Sequence, residues 1–143
     1  MLLTHLGHKL IGQDGRRTRY AATDAPGHYV DVLVAPEAPR GRGGAGTVHH
    51  MAFATADMDT QARVRSDLLA VAQPTPPIDR QYFTSVYFHE PGGVLFEIAT
   101  VGPGFATDEP VEHLGESLKL PPQYESHRAE IEAELVPVTA EVE

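Results

Sequence analysis

Residues 46–53 read Gly-Thr-Val-His-His-Met-Ala-Phe, and residues 94–100 read Val-Leu-Phe-Glu-Ile-Ala-Thr. Each segment is a short apolar run that carries ionisable residues where a buried strand should have none: His49 and His50 in the first, Glu97 in the second. Burying such groups is costly unless they are paired or bind a metal. Two imidazoles and one carboxylate on separate strands are the ligand types of a 2-His-1-carboxylate iron site. These two runs therefore define both the expected sheet and its candidate site.

The composition argues against several classes of protein. The chain has 143 residues, a formal net charge of −9 and no cysteine. An acidic chain is not expected to bind nucleic acid, and the lack of cysteine excludes disulfides, thiolate catalysis and cysteine-type zinc sites. No apolar run approaches the ~20 residues that span a membrane, and the N-terminus lacks a signal-peptide pattern. We therefore expect a cytoplasmic protein whose candidate metal ligands are histidines and carboxylates.

Residues 47–100 predict a β-α-β-β-β unit. Its helix begins at a capping residue, Asp57 or Asp59, and runs to about Val71, with residues 68–69 on its apolar side. The strands are rich in aromatic and β-branched residues and are bounded by proline and glycine. They are predicted at residues 47–55, just before Asp79, at residues 81–90 and at residues 94–100.

The flanking segments predict a second, shorter unit and an extension. Gly7 fits the stop position of a helix, and three strands follow, separated by turn signals at Gln13-Asp14-Gly15 and Ala25-Pro26-Gly27. This pattern is the same unit without its first strand and most of its helix, and such a unit exposes backbone groups that something should cover. Either the chain begins too late, or another chain fills the gap. Beyond residue 100, Thr107 or Asp108 is expected to cap a short helix, and a charged helix is expected over residues 124–135. The predicted domains are residues 1–35 (incomplete unit), 36–46 (linker), 47–100 (complete unit with the metal site) and 101–143 (C-terminal extension with helices).

A paired β-α-β-β-β unit with His on its first strand and Glu on its last resembles the vicinal oxygen chelate superfamily, which includes glyoxalase I, fosfomycin and bleomycin resistance proteins and type I extradiol dioxygenases. A finer resemblance, to the C-terminal half of hydroquinone-type ring-cleaving dioxygenases, covers about Leu6 to about Leu135. The resemblance implies an α+β fold of paired βαβββ modules, the first incomplete, and a non-haem Fe(II) cofactor, with Mn(II) or another divalent metal as the alternative. It rests on residues 46–53, 79–88 (DRQYFTSVYF), 90–100 (EPGGVLFEIAT), 102–105 (GPGF) and 118–122 (LKLPP).

The resemblance also implies roles for single residues. His50 and Glu97 would be the metal ligands, and His49, Arg80 and Tyr87 would surround substrate and oxygen. Strand alternation is consistent with different roles for the two histidines, because adjacent side chains of a strand point to opposite faces. It does not choose which histidine binds the metal, and only the resemblance favours His50.

The third ligand of that family is a His on the first strand of an N-terminal half that this chain does not have. We therefore expect it to come from another chain, through a homodimer or a complex with a separate N-terminal half. His89 shares a strand face with Tyr87 by alternation and is an alternative ligand, although the family tends to carry Arg at that position.

The predicted function is accordingly an extradiol-type ring-cleaving dioxygenase, or its C-terminal half, acting on a small hydroquinone- or catechol-like diol and O₂. Two alternatives use the same fold. One is a glyoxalase-like metal-dependent isomerase or transferase, and the other is a non-catalytic protein that binds a small molecule.

Each candidate residue also has a purely structural interpretation. His50 could be a core histidine satisfied by a hydrogen bond, His49 an exposed strand residue, and Glu97 the partner of Arg80 in a salt bridge. Asp79 and Arg80 could form an ion pair at a turn, and Tyr82 and Tyr87 could be packing aromatics, which is the preferred interpretation for Tyr82. The remaining side chains expected at the surface are His5, His8, His28, His113, His127, Arg40 and Arg42.

Overall fold

In a computed structural model, the described residues are 2–22, 27–39 and 41–136. The predicted turn at Ala25-Pro26-Gly27, the linker residue Arg40 and residues 137–143 fall wholly or partly outside these ranges. The described residues fall into two compact units, those within Met1–Gly104 and those within Phe105–Glu143. The boundaries placed at residues 35 and 47 stay predictions.

The first unit begins with a short helix and a three-stranded antiparallel sheet. Gly7 has φ +80°, which suits the residue that ends a helix, and the sheet has the order β1-β2-β3 with an irregularity between Leu10 and Gly12. Tyr20 and Val30 are paired and buried on one face of this sheet. The elements are α1 (Leu2–His5), β1 (Lys9–Asp14), β2 (Arg17–Ala21) and β3 (Tyr29–Leu33).

The same unit continues into a four-stranded sheet of order β4-β7-β6-β5. Strands β4 and β7 are parallel, and the remaining pairs are antiparallel. The predicted β-α-β-β-β order over residues 47–100 and the α+β fold class are confirmed. The elements are β4 (Met51–Thr55), α2 (Met58–Leu68), β5 (Ile78–Asp79), β6 (Thr84–His89) and β7 (Leu95–Thr100).

Helix α2 covers one face of this sheet. Asp57, rather than Asp59, is its N-cap, and its carboxylate accepts the backbone N–H of Thr60 at 2.7 Å. The expected apolar pair is wrong in part: Leu68 is fully buried, whereas Leu69 follows the last helical residue and is 56% exposed.

The core lies between α2 and the sheet face that it covers. Alternate residues of β6 and β7 point to that face, and their side chains pack with Leu68 and with residues of the first sheet. The buried core residues are Leu3, Tyr20, Val30, Leu68, Phe88, Phe96 and Ile98. The opposite face of β6 and β7 is thereby left for the polar residues.

Two strands begin at least three residues later than predicted, and one of these differences changes the site. Strand β4 begins at Met51 rather than at residue 47 because a turn precedes it: the backbone N–H and the hydroxyl of Thr47 both donate to the carbonyl of Gly44. His49 and His50 therefore precede the strand. Strand β6 begins at Thr84 because residues 80–83 form a tight turn, in which Gln81 has φ +68°.

The second unit contains less α-helix than predicted. The short helix expected after Thr107 or Asp108 is a 3-10 helix, Val111–His113, which follows Pro110 and has no side-chain cap. Another 3-10 helix, Phe105–Thr107, precedes it. The charged helix is half right: Pro122–His127 is a 3-10 helix, and α3 is Arg128–Glu134. Arg128 fixes this segment through Glu125 and Glu132, and its hydrogen bonds to Glu125 lower the pKa of that carboxyl.

Candidate metal centre

The candidate site lies on the face of β6 and β7 that α2 does not cover. Antiparallel register sets Tyr87 directly opposite Glu97 and Ser85 opposite Ala99. Directly opposed residues share a sheet face, so Ser85, Tyr87 and Glu97 lie together. The alternate residues Val86, Phe88 and Ile98 point to the core.

His50 and Glu97 meet at this face. Nε2 of His50 lies 2.7 Å from Oε2 of Glu97, and the side chains are 35% and 3% exposed respectively. The parallel register of β4 and β7 explains the meeting, because it sets Ala52 beside Glu97 and leaves His50 two residues before Ala52.

The second oxygen of the Glu97 carboxylate is also held. The hydroxyl of Ser85, a fully buried residue, donates to Oε1 of Glu97. Within the described residues, His50 is the basic side chain that pairs with Glu97. The guanidinium of Arg80 does not pair with Glu97 but lies over the Tyr87 ring, with Cζ 5.3 Å from the ring centroid. Glu97 thus combines deep burial with little neutralising charge.

His49 contacts His50 rather than pointing away from it. The two Nδ1 atoms are 2.9 Å apart and the rings are nearly perpendicular. The expectation that strand alternation separates these side chains is wrong, because both residues precede β4. A carboxylate accepts hydrogen bonds only, so the contact with Glu97 places a proton on Nε2 of His50. If His50 is neutral, its Nδ1 accepts and Nδ1 of His49 carries the proton.

Tyr87 and Arg80 complete one side of the group. The Tyr87 ring is edge-on to His50, with 6.0 Å between the centroids, and is half-buried. Arg80 and Asp79 do not form the ion pair considered above, since Asp79 accepts the backbone N–H of Gln81 instead. The site face therefore presents an imidazole, a carboxylate, a phenol and a guanidinium in succession.

A cleft of about 680 Å³ lies beside His49. Arg42, Val48, His49, His89 and Leu95 are among its lining residues. His89 is exposed, and its Nδ1 lies 3.3 Å from the carbonyl of Gly93 in the hairpin turn. In the part of the chain that the structure describes, no three His, Asp or Glu side chains are grouped to hold a metal ion.

The sequence patterns misplaced His8 and missed Ser85. His8 was expected at the surface but is 5% exposed and lies edge-on to Phe53. Ser85 was not singled out, although its alternation with Tyr87 on β6 places both side chains on the site face. Serine is common enough in strands that this signal alone does not mark a site.

Two solved structures are similar to this chain. A possible glyoxalase from Bacillus cereus superposes with a TM-score of 0.53 at 18% identity over 68% of this chain and 80% of that chain, which shows the fold. A provisionally assigned dioxygenase from Bacillus subtilis superposes with a TM-score of 0.89 at 42% identity, over 96% of this chain but 45% of that one. The chain therefore has the fold of glyoxalases and bleomycin resistance proteins, and its similarity to a dioxygenase over almost its whole length supports membership of the vicinal oxygen chelate superfamily.

Curated proteins that are similar to this chain are named dioxygenases. MhqO of Bacillus subtilis, provisionally named a ring-cleaving dioxygenase, is 44% identical over 136 residues, which are 92% of this chain and 42% of MhqO. The chlorohydroquinone/hydroquinone 1,2-dioxygenase of Sphingobium indicum is 39% identical over 84% of this chain and 39% of that protein. The chain thus spans about two fifths of the length of the relatives it matches.

A scan against models of known protein families finds no match. No helix in the described ranges is both long and apolar enough to cross a membrane.

Proposed function

We propose that His50 and Glu97 are two ligands of the metal centre of a non-haem Fe(II) ring-cleaving dioxygenase. The observation that carries the proposal is the buried Glu97 carboxylate, whose Oε2 lies 2.7 Å from Nε2 of His50. A buried carboxylate needs hydrogen bonds and a compensating charge. His50 and Ser85 supply the hydrogen bonds, and a divalent cation that takes Nε2 and Oε2 as ligands would supply the charge.

The donor set fits iron in type and falls short in number. One imidazole nitrogen and one carboxylate oxygen are two members of a 2-His-1-carboxylate triad, and Mn(II) or another divalent metal is the alternative occupant. When bound, iron supplies coordination positions for an aromatic diol and O₂ together with the redox chemistry that O₂ requires.

His49 is proposed to orient His50. With Nε2 as a metal ligand, the neutral His50 ring would carry its proton on Nδ1. That nitrogen lies 2.9 Å from Nδ1 of His49, which would then accept the hydrogen bond. A hydrogen bond to the non-ligating nitrogen fixes the ring of a metal-bound histidine.

Arg80 and Tyr87 are proposed to act on the substrate. The Arg80 guanidinium brings positive charge to the Tyr87 side of the site, where it would stabilise negative charge on a diol oxygen. The Tyr87 hydroxyl is a proton donor or acceptor in reach of that side. The cleft beside His49 would receive the aromatic ring.

The third ligand is proposed to come from outside the described residues. The described residues contain no group of three His, Asp or Glu side chains that could hold a metal ion. The chain also spans only about two fifths of the length of its relatives. A homodimer mate or a separate N-terminal half would supply a His and close the site.

The substrate is proposed to be a small hydroquinone- or catechol-like diol. The relative named chlorohydroquinone/hydroquinone 1,2-dioxygenase supports this class. In the reaction, one ring carbon–carbon bond breaks and both oxygen atoms of O₂ enter the product.

Oxygen uptake tests the function. The chain is loaded with Fe(II) without oxygen, alone and with the N-terminal half of MhqO as a separate polypeptide, and hydroquinone or catechol is added in air. We expect one O₂ consumed per ring opened, and no uptake by Glu97→Gln in the same mixture. Equal uptake by wild type and Glu97→Gln, or none with either diol in either preparation, would contradict the proposal.

A further inference from the structure

We infer that Ser85 is a positioning residue for the metal site: it holds Oε1 of Glu97 so that the carboxylate offers Oε2 alone to the metal. The inference rests on the proposed function and adds to it the way in which the carboxylate binds.

The strand register places Ser85 where it can do this. Tyr87 is directly opposite Glu97 on the antiparallel pair, and Ser85 is the next residue on the same face, diagonal to Glu97. A diagonal neighbour is within reach of a long side chain. Glu97 leans along the strand to Ser85, and the Ser85 hydroxyl donates to Oε1.

The two oxygens of Glu97 therefore have different partners. Oε1 takes the hydroxyl of a residue with no exposed surface, and Oε2 faces the ring nitrogen of His50. A carboxylate that binds through one oxygen occupies one coordination position, whereas a carboxylate that binds through both occupies two. By holding Oε1, Ser85 would leave a further position of a bound metal for the diol or for O₂.

The contacts of Ser85 differ from those of a buried hydroxyl that only stabilises the sheet. Thr100, a buried hydroxyl on the neighbouring strand, accepts the backbone N–H of Thr84 and donates to the carbonyl of Gly102. In the described part of the chain, the side-chain hydrogen bond of Ser85 goes instead to Glu97. Thr100 thus serves the backbone, and Ser85 serves the carboxylate.

The experiment compares Ser85→Ala with two matched variants. Ser85→Thr keeps the hydroxyl and should retain the wild-type behaviour. Thr100→Val removes a buried hydroxyl of the same sheet without touching Glu97, and it controls for general loosening. The first readout is solvent exchange of the His50 Nε2 proton in the metal-free protein, observed by NMR and assigned with His50→Gln. The second readout is the Fe(II) dissociation constant, measured anaerobically in the preparation that shows oxygen uptake.

Ser85→Ala should expose the His50 proton to faster exchange, because Glu97 is no longer fixed. It should also weaken Fe(II) binding by about 10–100-fold, the usual effect of losing a residue that orients a ligand. Ser85→Thr and Thr100→Val should match wild type in both readouts.

Unchanged exchange in Ser85→Ala would overturn the inference whatever the metal does, and so would unchanged Fe(II) affinity where wild type binds. Equal losses in Thr100→Val would also overturn it, because the effect would then be general. If wild type binds no Fe(II), the proposed function fails, while the proton readout still decides whether Ser85 holds Glu97.

Discussion

Nε2 of His50 lies 2.7 Å from Oε2 of Glu97 because the parallel register of β4 and β7 sets Ala52 beside Glu97. The contact thus depends on a strand pairing between distant parts of the chain rather than on local sequence. Any variant that shifts the register of β4 by one residue should separate the two side chains, since a one-residue shift moves side chains to the other face.

Two threonines that pair at the ends of β4 and β7 should respond oppositely to the same substitution. Both are buried, but the Thr55 hydroxyl has no hydrogen-bond partner among the residues that the structure describes, whereas the Thr100 hydroxyl accepts one hydrogen bond and donates another. Thr55→Val should raise the free energy of unfolding by about 1 kcal/mol, and Thr100→Val should lower it by about 1–3 kcal/mol. Urea unfolding of both variants measures the difference, and a loss of stability in Thr55→Val would contradict the account.

Gln61 joins helix α2 to the sheet. Its Nε2 group donates to the carbonyls of Thr84 at 2.7 Å and Ile98 at 2.9 Å, and the residue is 1% exposed. Gln61→Leu keeps the side chain large but removes both donors, so the free energy of unfolding should fall by roughly 2–4 kcal/mol.

Arg63→Ala is the matched control on the exposed side of the same helix, where Arg63 bonds to Thr60. Chemical denaturation should show it within about 0.5 kcal/mol of wild type. Similar losses in Gln61→Leu and Arg63→Ala would mean that helix propensity, and not the two carbonyl contacts, sets the stability.

Asp31 on the first sheet should make stability depend on pH. The Arg19 guanidinium binds both oxygens of the carboxyl, and with Arg17 it lowers the pKa of Asp31 to about 2. In the unfolded chain the same carboxyl has a pKa of about 4, so the folded state favours its ionised form. The stabilisation is complete above about pH 4 and is lost as the pH falls towards about 2.

Thermal unfolding of wild type and Asp31→Asn across this range measures the effect. Wild type should be the more stable protein at neutral pH, and the difference in Tm should shrink below about pH 4. A difference that stays constant down to pH 2 would show that the carboxyl does not titrate in this range.

The sequence predicts most of this fold because its signals are local. Alternating apolar residues indicate the strands, and Pro91-Gly92-Gly93 indicates the turn before β7. The start of β4 escaped prediction because Thr47 donates twice to Gly44, a turn that composition does not reveal. The end of α2 escaped because Leu69 is as good a helix former as Leu68, and only packing distinguishes the two.

The site is predicted less completely because it depends on contacts across the sheet. His50 and Glu97 stand out as ionisable residues in apolar runs, and the resemblance to dioxygenases supports both. The contact between His49 and His50 could not be foreseen, since it requires both residues to lie before the strand. Ser85 needs the register of β6 against β7, which sequence does not fix.

Fe(II) binding by wild type and Glu97→Gln tests the central claim most directly. The titration is anaerobic and uses the preparation with which oxygen uptake is measured. Glu90→Gln is the control, because the wild-type Glu90 carboxylate accepts the backbone N–H of Val94 in the hairpin turn. We predict one Fe(II) per site in wild type and Glu90→Gln, and at least about tenfold weaker binding in Glu97→Gln. Equal Fe(II) affinity in wild type and Glu97→Gln would contradict the assignment of His50 and Glu97 as a metal-binding pair.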